Sequence, residues 1–138
     1  MKITVIGCGK IGCAVIESLL AEGHEIVAVD SDPDVLSDIT NVYDVITVCG
    51  SATDSDTLTE AEVDKSELVI AVTGEDEINM LSCFIAKRLG ASQTIARIRN
   101  PEYNDKSLGF LKKELDLSMT INPESLVAKE MFNVLKLP

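Results

Sequence analysis

Apolar and polar positions along this chain follow two alternating periods. Short apolar runs with the length and composition of buried strands recur at residues 2–6, 25–29, 45–49, 68–72, 94–98 and 118–121. Between them the spacing becomes helical. After the first run, Ile11, Ala14, Val15 and Leu19 fall on one face. Residues 33–39 predict a second helix, with Ser31 or Asp32 as its cap and Pro33 at its first position. A short helix is expected over 55–62 and a long one over 75–89, closed by Gly90. Another is expected from 101 to about 113, and a last one from Asn122-Pro123-Glu124 to about 136. Residues 68–72 are apolar throughout and end in Thr73-Gly74, as a central parallel strand buried on both faces would be. Six strands alternating with helices predict an α/β, Rossmann-like fold: a doubly wound six-stranded parallel sheet with helices on both faces. No linker, repeat or low-complexity stretch interrupts the pattern, so residues 1–138 read as a single domain.

The first alternation carries the chemistry. The strand at 2–6 runs directly into Gly7-Cys8-Gly9-Lys10-Ile11-Gly12, then a helix, then a strand ending at Asp30. In dinucleotide binding each part has a physical task. Gly7 permits the tight turn, Gly9 lets the backbone approach a pyrophosphate, and Gly12 lets helix and strand lie close. The helix N-terminus offers free N–H groups and a partial positive charge to phosphate. Asp30 follows Gly12 at the spacing of the acid that accepts both hydroxyl hydrogens of an adenosine ribose.

In a doubly wound sheet the ligand lies at the carboxyl ends of the strands, by the switch point. There the second strand adds Asp30 and Ser31, the third Ala52 and Thr53 to flank an adenine, and the fourth Thr73 and Gly74. Arg97, in Ile95-Ala96-Arg97-Ile98-Arg99, is the best candidate for a charged phosphate contact. An ion pair with one of the 23 acidic residues is its alternative. Lys10 either reaches phosphate or is a solvated lysine at the helix start.

Charge and cysteine content narrow the partners. A net charge of −11 and a pI of about 4.4 argue against a nucleic-acid or anionic-membrane surface, since both require clustered Lys and Arg. No apolar stretch approaches the roughly 20 residues needed to span a bilayer, and the N-terminus lacks a signal-peptide pattern. The composition therefore fits a cytoplasmic domain that reaches a membrane only through a partner. Cys8, Cys13, Cys49 and Cys83 form no CxxC pair and His24 is the only histidine, which disfavours zinc. The cysteines read as small buried hydrophobes. Cys8 stands out, because a helix N-terminus would favour its thiolate. His24, beside Gly23, reads as a turn residue.

Several further segments occur in a fixed order: Val29-Asp30-Ser31-Asp32-Pro33, Gly50-Ser51-Ala52-Thr53-Asp54, Ala71-Val72-Thr73-Gly74-Glu75-Asp76-Glu77-Ile78-Asn79, Ile95 to Tyr103, and Ile121-Asn122-Pro123-Glu124. With the glycine loop, they make the whole chain resemble the N-terminal nucleotide-binding domain (RCK or KTN domain) of TrkA-type potassium-uptake regulators. The resemblance implies a peripheral cytoplasmic subunit that binds NAD(H), or ATP/ADP, and gates a membrane potassium transporter. It also implies a ligand set of Gly7, Cys8, Gly9, Lys10, Ile11, Asp30, Thr73, Gly74 and Arg97. Ser51 departs from the family, many of whose members carry an acid there. Family subunits usually continue into a C-terminal ligand-binding domain, whereas this chain stops at Leu135-Lys136-Leu137-Pro138, as an isolated N-terminal half or a short protein.

Two function classes follow. A regulator needs a nucleotide site, an oligomerisation surface and no catalytic residue. The alternative is the cofactor domain of an NAD-dependent oxidoreductase, which would need an acid or base at the nicotinamide; no His, Lys or Tyr stands out at a strand's carboxyl end. Self-association is expected through helices on one side of the sheet. The helix at 75–89 has Ile78, Leu81, Ile85 and Leu89 at core spacing and a second set, Met80, Cys83, Phe84 and Lys87, on another face. The final helix repeats this with Leu126, Val127, Met131, Phe132, Val134 and Leu135. Either the extra faces pack inside the monomer or they form a homodimer or larger homo-oligomer; the resemblance implies dimers in a ring.

Overall fold

A computed structural model describes residues 1–103 and 105–121. The strands are β1 (Lys2–Ile6), β2 (Glu25–Asp30), β3 (Ile46–Cys49), β4 (Leu68–Ala71), β5 (Thr94–Arg97) and β6 (Met119–Ile121). They pair in parallel in the order β3-β2-β1-β4-β5-β6. The helices are α1 (Lys10–Ala21), α2 (Pro33–Val42), α3 (Ser55–Glu60), α4 (Asp76–Leu89) and α5 (Asp105–Glu114), with a single 3-10 turn at Val63–Lys65. This is the Rossmann-like α/β architecture that the alternating pattern predicts. The predicted final helix lies outside the described residues.

Strand alternation divides the core into two layers. Ile26 and Ala28 of β2 and Leu68 and Ile70 of β4 face α1 and α2, whose Val15, Ile16, Leu19, Leu36 and Ile39 complete that layer. Val27, Val29, Val69 and Ala71 face the other way, onto Leu58 of α3 and Met80, Cys83 and Ala86 of α4. Burying such aliphatic side chains is worth about 1.5–3 kcal/mol each, which is how a chain so poor in aromatics builds its core.

Two elements differ from the sequence expectation in ways that chemistry explains. At 101–103 the chain forms a turn instead of a helix: the Tyr103 amide donates to Asn100 O at 3.0 Å and the Glu102 amide to the Asn100 side chain at 3.0 Å. α5 begins only at Asp105. Of the two caps the sequence offers for α2, Asp32 is the one used, its carboxylate accepting the Asp34 amide at 2.9 Å.

The faces of α4 are the second difference. Met80, Cys83 and Ala86 are buried with Asp76, Asn79 and Ser82, while Ile78, Ile85 and Leu89 are only partly buried and Leu81 is 45% exposed. The expected core row is thus the outer row. Small Cys83 and Ala86 let the helix approach the sheet closely, Asp76 and Asn79 bond to loops, and Ser82 donates back to Asn79 O within the helix. Met80 and Cys83, expected as surplus surface, pack inside the monomer.

Candidate functional site

The order of the sheet reverses between β1 and β4, and the carboxyl ends of β1, β2 and β4 lie side by side there, with Ile6 opposite both Val29 and Ala71. A cleft of about 880 Å³ opens at that point. The glycine loop forms its floor. Gly7 has φ +95°, and a Cβ on it would lie 2.8 Å from the Thr73 amide nitrogen, so both conformation and space require glycine. A Cβ on Gly12 would overlap the carbonyl oxygen of Gly7. Gly12 thus shapes the loop from behind, the packing task its place in the motif predicts, and lies outside the cleft lining.

Asp30 does more than the sequence suggests. Its Oδ2 accepts the Cys8 amide at 2.9 Å and its Oδ1 accepts the Asp32 amide at 2.9 Å. The Gly7 amide donates to Val29 O at 2.9 Å. One carboxylate therefore ties the glycine loop to the start of α2. Cys8 itself is buried and its thiol donates to Val29 O at 3.6 Å. Burial above all, then the negative Asp30 and then Cys13, push this thiol up to about 12. Burial thus disfavours the expected thiolate: desolvation outweighs the helix terminus. Burial likewise raises Cys83 to about 12, whereas Cys49 is exposed, against the expectation of a buried hydrophobe.

The opposite wall is built by Thr73, Gly74 and Arg97, and behind them by two residues the sequence reading passed over. Arg97 is 8% exposed and its Nη1 donates to Thr73 O at 3.3 Å. Asn79, fully buried on α4, accepts the Thr73 amide at 2.8 Å and the Thr73 hydroxyl at 2.6 Å through Oδ1. Its Nδ2 donates to Thr73 O at 3.1 Å and Arg97 O at 3.0 Å. The buried Asp76 carboxylate accepts the amides of Arg99, at 3.0 and 3.1 Å, and Asn100, at 2.7 Å. Polar side chains one turn apart on the face that also carries Met80 and Cys83 were the available signal.

The structure brings Gly7, Cys8, Gly9, Lys10, Ile11, Asp30, Ser31, Ala52, Thr73, Gly74 and Arg97 around the cleft. Ile6, Val29, Gly50, Ser51, Val72, Glu75 and Ile78 also line it. Thr53 does not: its amide donates to Ser51 Oγ at 3.3 Å, so it holds the neighbour that faces the cleft. His24 sits in the turn after α1, its Nδ1 3.2 Å from the N-terminal amine. The site thus combines a helix N-terminus with a carboxylate that keeps free lone pairs and an arginine on the far wall. That combination suits a ligand with both anionic and hydroxyl groups.

Comparison with known proteins gives a consistent relationship. The TrkA-N domain family matches residues 3–122. The Trk system potassium uptake protein TrkA of Vibrio alginolyticus is 34% identical over 140 residues, covering 100% of this chain and 31% of that protein. The chain therefore spans about a third of that curated relative's length. Among solved structures, the TrkA-N domain of the inner membrane protein ybaL from Escherichia coli superposes with a TM-score of 0.76 at 18% identity, over 98% of this chain and 96% of that one. The GsuK channel bound to NAD does so at 0.73 and 21% identity, over 87% of this chain and 21% of that one. Both share its fold.

Proposed function

This chain belongs to the TrkA-N domain family, and from that premise we propose that it is the nucleotide-sensing part of a regulator of potassium uptake. Its ligand is NAD(H), with ATP or ADP as alternatives carrying the same adenosine and phosphates. The observation that carries the reading is the convergence of the glycine loop, the α1 N-terminus and Asp30 on one cleft of about 880 Å³, a volume suited to a ligand of that size. Phosphates lie on the amides opening α1, beside Gly9, Lys10 and Ile11, with Arg97 and Gly74 across the cleft. The adenosine ribose bonds to Asp30 and the adenine lies toward Ser31 and Ala52. Each Asp30 oxygen has a second lone pair, so two ribose hydroxyls can be accepted while the Cys8 and Asp32 amides stay bound.

The transporter half of the proposal draws on the printed name of the Vibrio relative, a potassium uptake protein. In this reading the chain is a non-enzymatic, homo-oligomeric cytoplasmic subunit, and occupancy of its cleft alters the geometry presented to a membrane potassium transporter of the Trk or Ktr type. It would sit at the inner face of the membrane only through that partner; no helix among the described residues is long and apolar enough to cross a bilayer. Calorimetric titration with NAD⁺, NADH, ATP and ADP tests it. Saturable binding of at least one without turnover is expected. Failure of all four to bind would end the reading, and NADH oxidation coupled to an added substrate would favour the oxidoreductase alternative.

A further inference from the structure

We propose that Asn79, which does not line the cleft, is a positioning residue that fixes the Thr73–Arg97 wall against which the nucleotide packs. The inference deepens the function proposed above and rests on it. An amide side chain offers two donors and an oxygen with two lone pairs. Asn79 uses all four: Oδ1 takes the amide and hydroxyl of Thr73, and Nδ2 gives to the carbonyls of Thr73 and Arg97. Three of the four bonds thus go to one cleft residue and the fourth to another. Arg97 Nη1 closes the network on the same Thr73 carbonyl. A fully buried amide in a helix packed on an aliphatic sheet gains nothing in packing that Leu or Met would not supply. Its distinctive contribution is to specify one arrangement of the β4–α4 loop, as satisfied buried networks do. Thr73 also limits the space above Gly7, so a shift of this wall would reach the glycine loop directly.

Two variants of this chain separate positioning from support. Asn79→Asp preserves shape and the acceptor for Thr73, but sets a carboxylate oxygen against the Thr73 and Arg97 carbonyls. Cys83→Ala, one turn along the same buried face, loosens α4 where its thiol meets Ile95 O, away from the cleft. Both should melt below the unaltered protein. Dissociation constants for ADP and NADH should rise at least tenfold in Asn79→Asp and stay within twofold in Cys83→Ala. Wild-type affinity in Asn79→Asp, or equal losses in both, would overturn the proposal alone. If the unaltered chain binds neither nucleotide, the proposed function falls and this inference with it. Should Asn79→Asp not fold, amide hydrogen exchange on the unaltered chain decides. The Thr73 amide should be protected like those of β4, and exchange at the rate of an open loop would overturn the assignment.

Discussion

Asp30 is committed to two amides before any ligand arrives, and this sharpens what its removal should do. A 2′-phosphate would bring a second anion to hydrogen-bond distance of the carboxylate, so NADH should bind better than NADPH. Equal affinities would refute the ribose role. Asp30→Ala should weaken every adenosine ligand by about 1.5–3 kcal/mol, the range for hydrogen bonds to a charged group. It should also leave the Cys8 amide without its acceptor, so the melting temperature should fall even without ligand. The thiols give a second residue-scale expectation. Cys49 is exposed and should react first with a disulfide reagent at pH 8, whereas Cys8 and Cys83 should react only on unfolding. Both buried thiols are raised to about 12 from an ordinary value near 9. Between those pH values the unfolded chain gives up a proton that the folded chain keeps. Stability should therefore be fully present below pH 9 and fall as pH rises toward 12, by roughly 1 kcal/mol per pH unit for each thiol. Denaturant midpoints for the protein and its Cys83→Ala variant would reveal that slope and its reduction.

At the scale of elements, the loops at the carboxyl ends of β4 and β5 are held by buried polar residues of α4 rather than by their own sequences. Asp76→Ala would leave the Arg99 and Asn100 amides without an acceptor, at a cost of about 2–3 kcal/mol. The 99–103 turn should then exchange its amides faster, while β1 and β2 stay protected. Exchange that changed uniformly across the sheet would contradict this local role. The same helix marks the limit of what the sequence discloses. Apolar runs mark the six strands because each puts apolar side chains into the core, β3 only through Val48, and the glycine loop is legible because Gly7 and Gly12 are sterically required. α4 was misread because periodicity records where apolar residues recur, not which face meets the sheet. Its buried face is small and polar, so Ile78, Leu81 and Ile85 outscored it. Thr53, expected to flank an adenine, instead holds the Ser51 that lines the cleft, a distinction only tertiary contacts make. Asn79 is harder to read for the same reason: Asp76 and Asn79 mark a polar row on α4, but the role of the amide appears only with its four bonds to Thr73 and Arg97.

At the scale of the whole molecule, exposed apolar side chains bear on assembly: Val42 of α2 and Ile46 of the edge strand β3 form one set, and the α4 side of the sheet carries another. Leu81 on α4 and Phe110 on α5 are 45% and 64% exposed, and both helices pack on the same layer of the core. Phe84 adds a ring with the Arg88 guanidinium 5.5 Å from its centre. Apolar residues grouped on a helix face commonly mark an interface. Association must also overcome a charge of −11 on each copy. That repulsion is screened over about 10 Å at 0.1 M salt and over roughly 30 Å at 0.01 M. Self-association through this side should therefore strengthen as salt rises, the reverse of an interface held by ion pairs. Leu81→Glu would add a charge to the α4 face without emptying the core, so it should reduce association while leaving the melting temperature nearly unchanged. Light scattering at tens of micromolar protein, across that salt range, reads both effects. A dimer or larger species that grows with salt and dissociates in Leu81→Glu is expected. A strictly monomeric mass at every salt concentration would count against assembly, and an oligomer indifferent to Leu81→Glu would move the interface elsewhere on the molecule.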